Sequence, residues 1–442
     1  MKTLTLQLLG LMVSGSAFGA ELLVPKDYKT IQAAIDAAGE GDSVKIAEGT
    51  YRERLQLRKG VVVRGLEEAK NTILDAGGES PGVVMAEGSK LIGLTVTNAG
   101  KFDQAVYDKH HKERGENLTN EQGAVGVEGS APAIQVDVTA TIMACIVHDN
   151  GHAGIGVSGE GNKSLIKGNL VYRNMGGGIG IANEAEPMVT DNECFENLRA
   201  GIGCRASNPK IVGNRCHHNV RAGIGIREGA KPLVANNLCY ENRRAGIGNR
   251  MRGTAPTIRE NKCFKNGMAG IGTRNEASPL IEGNECYENK LAGIGSMDNA
   301  KPTIVGNTIY GNEMAAIGFD ACQSGVAVIR DNDIKAKTVV AIGLQGGWTA
   351  TIEGNTIQRE GGMPPLVMVF KDAKADFSKN TFIGSGVAGI RCQGEIKVNN
   401  NVFKCPEPRK GGPPQNAVWA PPGSKVEYGE NTVEGWRQAL AK

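Results

Sequence analysis

Residues Asn219–Glu241 read Asn-Val-Arg-Ala-Gly-Ile-Gly-Ile-Arg-Glu-Gly-Ala-Lys-Pro-Leu-Val-Ala-Asn-Asn-Leu-Cys-Tyr-Glu. Three short apolar segments, at 222–226, 232–234 and 238–240, are punctuated by Gly, Pro and Asn. Segments of this length read as strands, not helices. The stretch is one of a series. Arg-Ala-Gly-Ile-Gly-x-Arg stands at Arg199–Arg205, Arg221–Arg227 and Arg244–Arg250, and relaxed copies stand at His152–Ser158, Gly176–Ala182, Met268–Arg274, Leu291–Met297 and Met314–Asp320. Successive copies lie 22 to 24 residues apart. Three strands per period, with each coil burying its face only against its neighbours, is an all-β solenoid: a parallel β-helix.

Stacked about 4.8 Å apart, equivalent residues of successive coils form columns. Ile155, Ile179, Ile202, Ile224, Ile247, Ile271, Ile294 and Ile317 make one interior column, and Ile211, Val234, Ile258, Ile281 and Ile304 a second. Cys194, Cys216, Cys239, Cys263 and Cys286 make a third, continued by Val171 and Ile309, so that column wants a small apolar group. Two Asn columns, 192–307 and 174–312, mark turns and predict amide ladders along the axis.

The N-terminal stretches Asp27–Asp36, Gly41–Tyr51 and Val61–Gly65 resemble the start of pectin-lyase-like right-handed β-helix proteins. The Asn-x-x-x-x-Asn-x-x-x-Gly-Ile coils are similar to those of the NosD-like, carbohydrate-binding and sugar-hydrolase repeat group. The resemblance implies a right-handed β-helix over nearly the whole mature chain. It implies no single activity, because that group includes lyases, epimerases, esterases and proteins without known chemistry.

Residues 1–20 read as a secretory leader: Lys2, an apolar run through Val13, and small residues at Ala17–Ala20. The rest, 21–442, is expected to be one domain, with a helical cap at 28–39, a polar insert at 101–123, regular coils over about 140–404 and an irregular C-terminal cap at 405–442. Thr30 suits the N-cap of the helix and Gly39 its stop. No other apolar run approaches a membrane span. The mature protein is expected to be an exported monomer, in the periplasm before the extracellular space. Export would favour disulfides among ten Cys. Residues stacked in register on parallel strands, however, sit too far apart for the Cβ separation of about 3.8 Å that a disulfide needs. The ladder is therefore read as buried free thiols, with Cys392 and Cys405 left as a pair that can bridge.

Net charge is only +3, yet between Arg199 and Arg274 there are 15 Lys and Arg against 3 Glu and no Asp. Such one-sidedness attracts polyanions. Alternation on either side of Ile224 points Arg221, Gly223, Gly225 and Arg227 outward. The expected surface is a floor of Gly201, Gly203, Gly223, Gly225, Gly246 and Gly248 between two rails: Arg199, Arg221 and Arg244; and Arg205, Arg227, Arg250 and Arg274. Bare glycine on a strand face marks close approach by a ligand or another backbone, and Arg suits carboxylate, sulfate or phosphate. An acidic polysaccharide along the groove is the expected partner. Nucleic acid satisfies the charge, but export argues against it.

Lyase or epimerase chemistry on uronates needs a carboxylate neutraliser, a base and usually an acid. The Arg rails offer the first. His152, His148, His217 and Tyr240 are the candidates for the others, beside His218 and the insert's His110 and His111. The column Tyr172, Phe195, His217, Tyr240, Phe264, Tyr287, Tyr310 is either a sheet-stabilising stack or a sugar platform. No Asp-Pro-His-Asp stretch, calcium-binding Asp cluster or esterase Asp pair is present. No metal site or cofactor is expected, although a divalent metal is compatible with the His, Met and Cys content. Two alternatives stand beside the glycan groove. One is a NosD-like accessory protein in metal-enzyme maturation. The other is an interaction solenoid whose groove is covered by its own insert, with Asp103, Asp108, Glu113 and Glu116 pairing with the Arg rails.

Overall fold

Each period folds into three short strands joined by tight turns; for the quoted stretch they are Ile224–Arg227, Leu233–Ala235 and Leu238–Tyr240. The computed structural model describes residues 19–112, 131–337, 339–408 and 415–441. Successive coils pair in parallel to build a right-handed β-helix. Its first sheet has 17 strands and contains Leu233–Ala235. The second contains Leu238–Tyr240 and the third Ile224–Arg227, each with 16 strands.

Register follows the columns. Ile224 lies opposite Ile202 and Ile247, Val234 opposite Ile211 and Ile258, and Cys239 opposite Cys216 and Cys263. All nine are fully buried. No disulfide joins any of the ten cysteines, Cys392 and Cys405 included. The thiols act as small apolar side chains.

The turns are held by the two Asn ladders. Asn237 Nδ2 donates to Asn261 Oδ1 at 2.9 Å and to the Ile211 carbonyl at 2.9 Å, while Asn237 Oδ1 accepts from Asn214 Nδ2 at 3.0 Å. In the second ladder Asn242 Nδ2 donates to Asn266 Oδ1 at 3.1 Å. The residue before each, Asn236 or Glu241, has φ of 55° or 52°. A left-handed residue turns the chain sharply, and the buried amide that follows satisfies backbone groups the turn leaves unmade.

Helix α1 (Ile31–Ala37) caps the N-terminal end. Thr30 accepts from the Ala33 amide, and Ile31, Ala34 and Ile35 are buried against the first coil. The Glu53 carboxylate accepts from the Ile31 and Gln32 amides at 2.9 and 3.0 Å, satisfying donors that a helix start leaves open. Coils extend beyond the regular stretch at both ends. They begin at Glu21, and Asn416–Trp419, Lys425–Tyr428, Thr432–Glu434 and Gln438–Ala441 pair in parallel with the coil before them. Within the cap expected at 405–442, the described residues 416–441 therefore hold four paired strands. These short strands are held by pairing and not by local propensity. No helix among the described residues is long and apolar enough to cross a membrane.

Candidate ligand-binding groove

The outer face of the third sheet is a trough of 1980 Å³ running from Pro132 to Phe370, along about ten coil spacings. Its floor is a column of one glycine per coil: Gly156, Gly180, Gly203, Gly225, Gly248, Gly272, Gly295, Gly318 and Gly343. A Cβ built on Gly203 would meet nothing within 4 Å, and one on Gly225 only the Ala200 Cβ at 3.7 Å. The column ends at Met368.

Half the expected glycine floor is corrected. Gly201, Gly223 and Gly246 face the interior, where a Cβ on Gly223 would lie 2.8 Å from the Gly246 carbonyl oxygen and 2.9 Å from Asn242 Nδ2. The period of two holds only within a strand, and this strand begins at Ile224. Arg221–Gly223 is still turning off the Asn ladder, so Gly223 and Ile224 both point inward. Ala222 is released to the outer face, where its Cβ lies 3.8 Å from the Cβ position of Gly248. Strict alternation would put Ala222 in the interior; instead the column Ala200, Ala222, Ala245 stands beside the floor.

The Arg rails stand where the repeat places them. Arg205 lies opposite Arg227 and Arg250 opposite Arg274 across the strand pairing. Arg199, Arg205, Arg221, Arg227, Arg244 and Arg250 are half-buried and Arg274 is exposed. Burial, then the neighbouring charges of Arg199, Arg244, Arg250 and Arg227, pushes the Arg221 guanidinium down to about 10. Arg244 and Arg250 are lowered for the same two reasons. Like charges on successive coils thus bear on Arg221, Arg244 and Arg250.

Only one of the four candidate acid–base residues lines this trough. His152 continues the first rail two coils before Arg199, with burial holding its imidazole below the usual range. His148, His217 and Tyr240 lie on the second sheet, in a continuous stack with Tyr172, Phe195, Phe264, Tyr287 and Tyr310. Centroids there are 4.8–5.1 Å apart and planes within 15°. Between the two ends of the stack each ring face is covered by the next ring, so the column offers a sugar edges and not faces along its length. Among the described residues, no group of three or more His, Cys, Asp or Glu side chains is arranged to hold a metal ion.

The insert contributes helix α2 (Gln104–Lys112). Tyr107 packs with Met175, Leu198 and Val220, residues that immediately precede positions on the first rail. The Tyr107 hydroxyl donates to the Glu196 carbonyl at 2.6 Å, and His111 Nδ1 lies 3.3 Å from Arg243 Nη2. Arg173 lies 4.9 Å from the Tyr107 ring centroid and donates to Gln104 at 2.7 Å. The helix thus runs along the outer flank of the rail. Asp103 accepts from the Val106 amide and Asp108 from Gln104 within the helix itself. Glu113 and Glu116 lie outside the described residues.

Beyond the arginines the rims change character. The first rail continues as Met268, Leu291 and Met314, which are 41%, 37% and 62% exposed. The second continues as Met297, Asp320, Gln345 and Phe370. The signal was present in the relaxed motif copies, where Met or Leu replaces the leading Arg.

The family model described as "right handed beta helix region" matches residues 81–262 and 248–357, more than half of the chain, and the chain belongs to that family. No curated protein sequence matches it. Solved structures similar to it include the A-module of mannuronan C-5 epimerase AlgE6 of Azotobacter vinelandii, at 16% identity and a TM-score of 0.41, covering 93% of this chain and 94% of that one. Another is the periplasmic alginate epimerase AlgG, at 13% identity and 0.43, covering 89% and 77%. A third is the catalytic unit of a GH87 α-1,3-glucanase of Streptomyces thermodiastaticus, at 14% identity and 0.46, covering 92% and 65%.

Proposed function

We propose that this member of the right-handed β-helix family is an exported protein that binds an acidic polysaccharide in the trough of its third sheet. The observation that carries the reading is the pairing of half-buried Arg rails with a floor of open glycine backbone. One Arg pair per coil is periodic along the axis, as the charges of a polyuronate or sulfated glycan are along its chain. Guanidinium groups suit those anions in a bidentate geometry. Binding is favoured over cleavage or epimerisation because His152 alone of the candidate bases lines the trough, two coils from the nearest Arg. The leader read in the sequence at 1–20 supports export.

The test is co-sedimentation of the mature protein with acidic and neutral polysaccharides at low and raised salt. Salt-sensitive binding to acidic members alone is expected. Arg221→Ala, Arg227→Ala and Arg244→Ala combined should lower affinity at least ~100-fold, at about 1.5–3 kcal/mol per lost charged hydrogen bond. Unchanged affinity in a variant that melts normally sinks the reading.

A further inference from the structure

Four of the eight large apolar side chains that are exposed among the described residues line one half of one trough: Met268, Leu291, Met314 and Phe370. Met297 lines the same half. Scattered exposed apolar residues need no explanation, but a contiguous strip does. Met268, Leu291 and Met314 occupy one column on successive coils, so they form a strip about 10 Å long beside the glycine floor. Gly295 continues that floor between Leu291 and Met297, and Gly318 between Met314 and Asp320, with no obstruction nearer to their Cβ positions than Ala269 at 3.4 Å and Ala292 at 3.5 Å. The strip is continuous with the cationic half: the first rail passes from Arg244 to Met268 in one coil, and the second from Arg274 to Met297. An extended ligand in the trough therefore meets guanidinium groups along one half and, along the first rim of the other, thioether and alkyl groups, with Met297, Asp320 and Gln345 on the rim opposite. Methionine's flexible, polarisable chain suits alkyl surfaces of variable shape.

We infer that the ligand is an anionic glycolipid: an acidic oligosaccharide whose head lies between the Arg rails and whose alkyl or acyl chain lies over the glycine floor along the rim of Met268, Leu291 and Met314, with Met297 opposite Leu291. This deepens the polysaccharide reading and rests on it.

The experiment compares a short oligouronate, the same oligouronate carrying a dodecyl chain at its reducing end, and dodecyl maltoside. Each is titrated below its micellar concentration against the wild type and the Met268→Gln, Leu291→Gln, Met314→Gln triple variant. The dodecyl oligouronate should bind the wild type about ten-fold or more tightly than the plain one, since each buried methylene adds to affinity. The triple variant should lose that increment and keep its affinity for the plain oligouronate. All three positions are exposed, and an unchanged melting temperature confirms folding. Equal affinity of the two oligouronates for the wild type overturns the inference and leaves the polysaccharide reading standing. So does an increment that survives in the triple variant. Dodecyl maltoside binding as tightly as the dodecyl oligouronate overturns joint occupancy of the two halves. No binding of the plain oligouronate, with or without the variant, overturns the polysaccharide reading itself.

Discussion

Over the coils of Ile202, Ile224 and Ile247 the trough is edged by six arginines, whereas over the coil of Ile294 it is edged by Leu291 and Met297, with mixed edges of Met268 and Arg274 before it and of Met314 and Asp320 after it. Everything beneath the rims is shared. The same interior isoleucines stack in one column, and both Asn ladders run under both halves. The floor is glycine throughout. In a solenoid the interior and turn positions are set by contacts with the next coil, so they repeat. Positions facing out of the trough carry no such obligation and are free to differ. One half also has a neighbour: among the described residues, helix α2 flanks the Arg-bearing rail, and no helix flanks the apolar one.

The strongest way to break this comparison is to cut the shared ladder once in each half. Asn237→Ala removes one side chain that makes amide bonds to Asn214 and Asn261, and Asn307→Ala one bonded to Asn284 and Asn332. Each leaves two or more buried polar groups unmade, at about 1–3 kcal/mol apiece. Urea unfolding should show a loss of about 3 kcal/mol or more for either variant. Clearly unequal losses would mean the halves differ below the rims as well.

The next test separates floor from interior. Gly223→Ala drives a methyl into the Gly246 carbonyl and the Asn242 amide and should cost about 1–3 kcal/mol. Gly225→Ala in the Arg half and Gly318→Ala in the apolar half both meet only ordinary contacts, with Ala200 at 3.7 Å and Ala292 at 3.5 Å. Both should stay within about 0.5 kcal/mol of the wild type. If Gly225→Ala proved as costly as Gly223→Ala, the assignment of the floor would be wrong.

The smallest effect concerns the flanking helix. Burial, then the Arg243 charge, holds the His111 imidazole below its ordinary 6.5, against the opposing pull of Glu196 and Asp108; Arg173 lowers it further. The folded state therefore binds fewer protons than the undocked helix does. Docking of α2 is at full strength above 6.5 and weakens as pH falls through the depressed value. Amide exchange in 104–112 should quicken a few-fold on mild acidification while the coils stay protected, and His111→Gln should flatten that dependence. Exchange that ignores pH would remove His111 from the contact.

Much of the fold was legible because a coil's interior repeats with the period of the chain. Eight isoleucines, five cysteines and two rows of asparagine each align only one way. Legibility failed where repetition stopped. The last coil carries Val418, Val426 and Val433 in place of the motif; its closing stretch near 432–440 could be guessed, but its strands and their register are seen only in the pairing. The groove was half legible. Both Arg rails could be named, but alternation was extended one residue too far, past the start of the strand at Ile224. That placed Gly223 outside and Ala222 inside. The apolar rim went unread because Met268, Leu291 and Met314 had been noticed only as departures from Arg.

The sequence alone determined the period, the columns and the cationic stretch, because a solenoid maps distance along the chain onto position along one axis. Only the tertiary structure decided which side of the third sheet each turn residue takes. It also decided that His148, His217 and Tyr240 stand on a different sheet from the arginines, and that α2 lies beside a rail. These depend on where the chain bends between strands and on contacts across 50 or more residues, neither of which leaves a period to read.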